Sequence, residues 1–268
     1  MMENLELKNL NGIQKWVDLG CGFEPHLSSS KIAMFRNDLP MFICTYGFNM
    51  RQSSASMDRG NVCEEALVSA LLEEETLDNA IVKAKNKFNA MDHEDLEDHN
   101  KQAVAIPDMV KLAYETLKDY GKPEFSKNRE QQKIEYQLHD ELNGWSAPMI
   151  GYLDLVYPEQ GLIIDLKTTF RMPSVMSWSH QLQRIAYQQG KSNYDVRFLY
   201  VTPKKCEFKQ DGDMYILHEA KQVVTKMNNF CFTMTPSQAR SCIPIGDSFL
   251  WNSKFELRDK YNNMQDVF

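Results

Sequence analysis

Two aspartates and a lysine stand in a pattern that could do metal or phosphate chemistry. The run Gly151-Tyr152-Leu153-Asp154 is followed, ten residues on, by Asp165-Leu166-Lys167-Thr168-Thr169. Side chains alternate along a strand, so Asp165 and Lys167 point to one face. The β-rich runs Met149–Val156 and Leu162–Thr168 flank Tyr157-Pro158-Glu159-Gln160-Gly161, a turn sequence. A hairpin centred on Glu159 and Gln160 sets position 154 opposite 165, so that two carboxylates and one ammonium converge. Burying Asp165 within Ile163-Ile164-Asp165-Leu166 is costly unless a partner compensates it. Hard oxygen ligands at this spacing suit Mg²⁺ or Mn²⁺. An ordinary ion pair of Lys167 with either aspartate is the alternative, but it leaves one acid uncompensated.

A helix over Met176–Gln189 follows the Asp-x-Lys strand. Leu182, Ile185 and Ala186 form its buried side, and His180, Gln183 and Tyr187 share an adjacent stripe through their i+3 and i+4 spacing. Read alone, this is a helix with a polar flank; placed after that strand, the stripe could face the same patch.

The elements that must position these residues divide into a helical first half and a mixed second half. Helices are predicted over 28–37, with Ser28-Ser29-Ser30 as the cap, from Asp58 to about Glu73, over Leu77–Asn89, and from Pro107 to near Gly121. Met91–Asp98 holds five acids in eight residues and reads as a solvated connection or a helix end. Strands are predicted over Lys133–Leu138 and Val196–Thr202, with a further pair near Cys206–Leu217, before a helix from His218 to Phe230. The order implies an α/β architecture whose sheet is covered by helices.

Taken together, these residues resemble the PD-(D/E)XK nuclease superfamily, and more narrowly its RecB-type and phage exonuclease members. The resemblance spans about Ser28 to Thr202. Ser28–Phe42 looks like the family's Ser-rich helix followed by Pro and an aromatic. Arg59-Gly60-Asn61-Val62-Cys63-Glu64 looks like the helix that brings a metal ligand four residues after a glycine. Ile134-Glu135 stands at the apolar-Glu strand position, Gly151–Asp154 and Asp165–Lys167 at the core motifs, and Gln183–Tyr187 at the Gln-x-x-x-Tyr helix.

The resemblance implies an α/β (α+β) restriction-endonuclease-like core, a central mixed sheet flanked by helices. It also implies one nuclease domain over 1–268: a helical portion over 1–125, an αβββαβ-type core over 126–235 and a C-terminal extension over 236–268. Glu64, Asp154, Asp165 and the Leu166 carbonyl would hold one or two Mg²⁺ or Mn²⁺ ions. Lys167 would orient or help deprotonate the attacking water and stabilise the developing charge. Gln183 and Tyr187 would position the lysine, the water or the phosphate. Glu135 and His180 would support the site, and Lys31, Arg36, Arg59, Arg171 and Arg184 are candidates for phosphate contacts.

The implied activity is metal-dependent DNA exonuclease, of the kind used in phage recombination and DNA degradation. A structure-selective or restriction-type endonuclease is the alternative within the class, and a catalytically retired DNA-binding or scaffold module the alternative outside it. DNA is the implied partner, with a homo-oligomer or a recombination partner protein as further expectations. Two departures stand out. Glu64 occupies a position that is usually His in RecB-type members, though lambda-exonuclease-like members use a glutamate; a surface acid is the other reading. The late cysteines Cys206, Cys231 and Cys242 are too widely spaced for the iron–sulfur loop of some relatives, so no cluster is expected.

Composition sets the outer bounds. The 268 residues are 43% apolar, and a mean hydropathy of −0.50 with no long apolar run predicts no membrane span. The first residues lack a signal-peptide pattern and the six cysteines are scattered, so reduced thiols and a cytoplasmic location are expected, the bacterial host's if the chain is phage-encoded. With 30 Lys+Arg against 37 Asp+Glu, the net charge is −7, which argues against non-specific coating of nucleic acid. Three of those acids belong to the proposed metal site, where a cation reverses the local sign. The stretch from Met234 to Phe268, with Phe249, Trp251, Phe255 and Tyr261, is expected to pack on the core or grip DNA by stacking.

Overall fold

Among the described residues, the β-rich runs pair as two sheets. β1 (Lys133–Asp140) and β2 (Trp145–Tyr152) form an antiparallel hairpin. β3 (Leu155–Tyr157), β4 (Leu162–Thr168), β5 (Asp195–Val201) and β6 (Cys206–Lys209) form a mixed sheet in that order, in which β4 and β5 run parallel and the outer pairs antiparallel. The fold is therefore mixed α/β with helices flanking a mixed sheet. These elements come from a computed structural model that describes residues 7–50, 53–125 and 129–243. Phe249, Trp251, Phe255 and Tyr261 lie outside the described residues. No helix among the described residues is long and apolar enough to cross a membrane.

The β3–β4 hairpin has the expected register. Leu155 pairs with Ile164, Val156 with Ile163 and Tyr157 with Leu162, so the next positions outward are 154 and 165. Gly161 closes the turn at φ +58°, a left-handed conformation that glycine adopts without a Cβ penalty. The single strand expected over Met149–Val156 is instead two. β2 starts earlier, at Trp145, and the ladder breaks at Leu153-Asp154 because Asp154 turns its carboxylate to the neighbouring strand.

The helices are α1 (Asn11–Asp18), α2 (Ser29–Asn37), α3 (Leu39–Phe42), α4 (Ala55–Leu71), α5 (Leu77–Asn89), α6 (Leu96–Leu117), α7 (Trp178–Gly190), α8 (Tyr215–Thr233) and α9 (Pro236–Ala239). A π-helical turn at Ile43–Gly47 follows α3. Ser28 caps α2 as read, and α5 has the expected bounds. α4 begins three residues early because the Ser54 hydroxyl accepts the Met57 amide and serves as its cap.

The expectation of a helix starting at Pro107 is corrected. Pro107 lies inside α6, which starts at Leu96 with the Asp95 side chain accepting the Asp98 amide. An interior proline costs ~3 kcal/mol. The apolar stripe Ala103, Ile106, Val110, Ala113 and Leu117 runs through it, all buried, and each large member contributes about 1.5–3 kcal/mol. Burial wins. The acidic run 91–98 accordingly ends as a helix start, with Glu97 and Asp98 in the first turn where the helix dipole favours them. The strand pair expected over Cys206–Leu217 is also corrected: only β6 forms, and α8 has begun by Tyr215, where Leu217, Ala220, Val224 and Met227 bury one helical face.

Among the described residues, three apolar clusters hold these elements. One joins α1, α2, α3 and α8 to the β1–β2 hairpin around Trp16, Phe42 and Leu138. A second packs α4, α5 and α6 against Leu162, Ile164 and Leu166. The third lies on the opposite face of β4 and β5, where Ile163, Val196, Phe198 and Tyr200 meet Tyr187 of α7. Strand alternation thus divides β4 into a face toward α4–α6 and a face toward α7, with Asp165 and Lys167 on the latter.

α1, unforeseen from the sequence, docks on α8 at Gly12, whose amide donates to Asn228 Oδ1 at 2.9 Å. A Cβ there would strike the Asn228 carbonyl and the Phe232 backbone. Gly12→Ala should therefore force the two helices apart at a cost of about 1–3 kcal/mol. Urea unfolding checks this: the midpoint should fall with the slope unchanged.

Candidate functional site

The site lies where the break between β2 and β3 meets the C-terminal half of β4. Asp154 leaves the ladder, and its Oδ2 accepts the Leu166 amide at 2.8 Å. Asp165, 1% exposed, points toward α7, and the Lys167 ammonium lies against its Oδ1. Gln183 of α7 donates its Nε2 to Asp165 Oδ2 at 2.9 Å and to the Tyr187 hydroxyl at 2.7 Å. The Tyr187 hydroxyl in turn donates to the Tyr152 carbonyl at 2.8 Å. The chain Asp165–Gln183–Tyr187–Tyr152 ties α7 to the strand end that delivers Asp154.

Gly151 makes this possible. A Cβ at that position would collide with the Tyr187 ring, its hydroxyl lying 2.7 Å away. The glycine two residues before Leu153 is the recess that seats the tyrosine.

Burial and mutual repulsion set the electrostatics. Burial raises the Asp154 carboxyl well above its ordinary value, and the charges of Asp165 and Glu64 push it further; Lys167 and the Leu166 amide only partly offset this. Burial also raises Asp165, against the pull of Lys167. For Lys167, burial works toward deprotonation, but Asp165, Asp154 and Glu64 outweigh it, and the ammonium sits above its ordinary range. Tyr187 is raised well above the usual phenol by burial and the two aspartates. The hydroxyl therefore stays protonated and acts through its hydrogen bonds.

Glu64 and its neighbour Glu65 face different surroundings. Glu65 is exposed and pairs with Lys87, whereas half-buried Glu64 is near enough to act on Asp154 and Lys167. His180 shares a hydrogen bond with the Tyr200 hydroxyl, and burial plus the Lys167 charge lower its ring to about 4. Glu135 instead pairs with Lys133 at 3.0 Å, on β1.

The five basic candidates part company. Lys31 is buried, with its Nζ donating to the His26 carbonyl at 2.6 Å and lying over the Phe23 ring. Arg36 pairs with Glu219 at 2.6 Å and covers Trp178. Arg184 donates to the carbonyls of Asp211 and Gly212. Arg59 is 2% exposed; it donates to the Thr168 carbonyl at 3.0 Å, contacts Gln102, and clamps α4 and α6 to the end of β4. Lys31 and Arg59 are thus internal ties, because their heads have main-chain partners inside the fold. Arg36 and Arg171 are the exposed ones of the five, and Arg36 is already paired with Glu219.

Sequence reasoning missed Tyr200 and Gln102. Tyr200 was within reach: alternation in β5 puts Val196, Phe198 and Tyr200 on one face, in register with Ile163, Asp165 and Lys167. Gln102 gave no local signal, since its partner is 43 residues away.

The donor chemistry fits a hard divalent cation: Glu64, Asp154, Asp165 and the Leu166 carbonyl are all oxygen donors. Buried Asp165 Oδ1 also lacks a well-aligned hydrogen bond. Among the described residues, no group of three or more His, Cys, Asp and Glu side chains is gathered into a ligand shell as it stands. Compared with protein families and with curated proteins, the chain matches none.

Two consequences are measurable. Asp154→Asn removes one of the repelling charges, so without divalent cations it should raise Tm by a few degrees, for about 1–2 kcal/mol; an ordinary ion-pair partner would lower it. His180 is lower folded than its ordinary 6.5, so the unfolded chain binds the extra proton. Its contribution, about 3 kcal/mol, is complete above pH 6.5 and fades as pH falls toward 4, whereas the raised Asp154 and Asp165 act in the opposite sense. His180→Gln should therefore flatten the acid-side loss of stability, followed by urea midpoints at pH 7, 5.5 and 4.5.

Proposed function

We propose that this chain is a metal-dependent deoxyribonuclease with a PD-(D/E)XK-type core, acting as an exonuclease. The observation that carries the reading is the convergence of Asp154, Asp165 and Lys167 through the β3–β4 register, with Gln183 and Tyr187 meeting them from α7. Glu64, Asp154, Asp165 and the Leu166 carbonyl would hold the Mg²⁺ or Mn²⁺. A bound divalent cation supplies an activated water and charge stabilisation at the phosphate.

The chain's own residues do the rest. The Lys167 ammonium keeps its proton and places a positive charge beside the aspartates, where it stabilises negative charge growing on a phosphate oxygen. Gln183 holds one oxygen of the Asp165 carboxylate and leaves the other against the Lys167 ammonium. Tyr187 is a positioning residue: its proton is committed to the Tyr152 carbonyl, and it steadies the strand end that carries Asp154. His180, neutral at physiological pH, adds no charge to compete with Lys167. DNA is the proposed substrate and partner; a homo-oligomer or a recombination partner protein, and action in the cytoplasm, belong to the same proposal.

Cleavage of end-labelled linear DNA in Mg²⁺ or Mn²⁺, with closed circles left intact, is the expected result. Lys167→Ala should lower kcat by a hundredfold or more, the scale of losing one transition-state charge partner. Activity that survives both EDTA and that substitution overturns the reading. Cut circles replace the exonuclease with an endonuclease, and a well-folded chain that cleaves nothing leaves a retired binding module. Metal binding has its own readout: because the acids sit above their ordinary values, Mn²⁺ uptake should release protons, seen as a buffer-dependent heat in calorimetry.

A further inference from the structure

We propose that Phe170, Lys101 and Arg171 form a platform for an unpaired nucleotide beside the bond to be cut, the base stacking on the Phe170 ring and the phosphates meeting the two cations. The inference rests on the nuclease reading above and adds to it a substrate form: a single-stranded or frayed DNA end.

Phe170 follows β4 directly, three residues after Lys167, so at most about 10 Å of chain separates them. The residue is 38% exposed, unlike the aromatic residues packed on the faces of β4 and β5. The buried Arg59 guanidinium lies 5.0 Å from the ring centroid and is itself tied to Thr168 and Gln102. That cation cannot reach a phosphate; it holds the ring in place. The Lys101 ammonium, on an exposed position of α6, lies 4.9 Å from the same centroid. Arg171 is exposed, and its main chain is pinned by Thr169, whose Oγ1 donates to the Arg171 carbonyl at 3.1 Å.

Every base offers a π-face, so an exposed ring binds single strands with little regard to sequence. Within a duplex those faces are already stacked, and the platform therefore selects an unpaired base. A base arriving on Phe170 displaces the Lys101 ammonium, which then meets a phosphate. Acids crowd the cleavage site itself, so a nucleic-acid backbone needs localised positive charge near it, and Lys101 against the Phe170 ring and Arg171 next in the chain supply it just past the end of β4.

The test uses the full chain with a single-stranded oligonucleotide and with the same strand carrying abasic residues at its end, a diester chain with no base to stack. Phe170→Leu should lower kcat/KM on the oligonucleotide about tenfold and leave the abasic strand unchanged. A 2-aminopurine near the strand end should be quenched by the wild-type protein, with Ca²⁺ replacing Mg²⁺, and much less by Phe170→Leu. Lys101→Gln, an exposed change that spares folding, should reduce the slope of log affinity against log salt by roughly 0.7. Equal constants for wild type and Phe170→Leu on the oligonucleotide overturn the platform, as does an equal loss on both substrates. Wild-type protein that cleaves neither substrate overturns the nuclease reading itself.

Discussion

The Asp154 carboxylate accepting the Leu166 amide is the contact on which the rest of the site depends. It substitutes a side chain for a main-chain partner at the point where β2 gives way to β3, and so lets the chain pass from one sheet to the other. With that contact made, Asp154 is held against β4 one residue from Asp165. Alternation along β4 then sends Asp165 and Lys167 toward α7, while Leu162, Ile164 and Leu166 bury against α4–α6. One hydrogen bond places the acids; the pleat decides what they face.

The fold concentrates like charges at this point and surrounds them with apolar packing. Asp154 and Asp165 sit above their ordinary ionisation range and Lys167 above its own, a combination expected where several acids share one ammonium. Such an arrangement costs stability that neighbouring elements must offset. The offset is visible in the Tyr187 ring seated on Gly151, in Gln183 bridging α7 to Asp165, and in Arg59 fastening α4 to the end of β4. The surplus of acid in the chain is therefore structured: some of it makes the site, and part of the run 91–98 starts α6.

Local patterns were legible where one physical effect dominated. The β3–β4 register follows from a turn with Pro158 and Gly161 and two apolar strands, so the approach of 154 to 165 is written in the local sequence. α5 follows from its cap and its periodicity, and the stripe His180–Gln183–Tyr187 from the helical repeat. Reading failed where two effects competed. Pro107 predicts a helix start by local chemistry, yet the buried stripe of α6 overrides it. The segment at Tyr215–Leu217 has strand-like composition, but its side chains find a helical seat against the α1–α2 layer. α1 is short, and what secures it is the seat of its Gly12 against Asn228 of α8, more than two hundred residues away.

The basic residues mark the boundary most clearly. Residue type and spacing alone brought two acids and a lysine together and put Gln183 and Tyr187 on one flank of a helix, because strand and helix periods are local properties of the chain; that this flank meets the acids came from packing. Which cations face solvent was decided only by the tertiary structure. Lys31 and Arg59 are charged in any sequence reading, yet the fold buries both and satisfies them on main-chain carbonyls, whereas Arg171 and Lys101 stay at the surface. Burial is a sum over neighbours distant in sequence, and no window along the chain contains it.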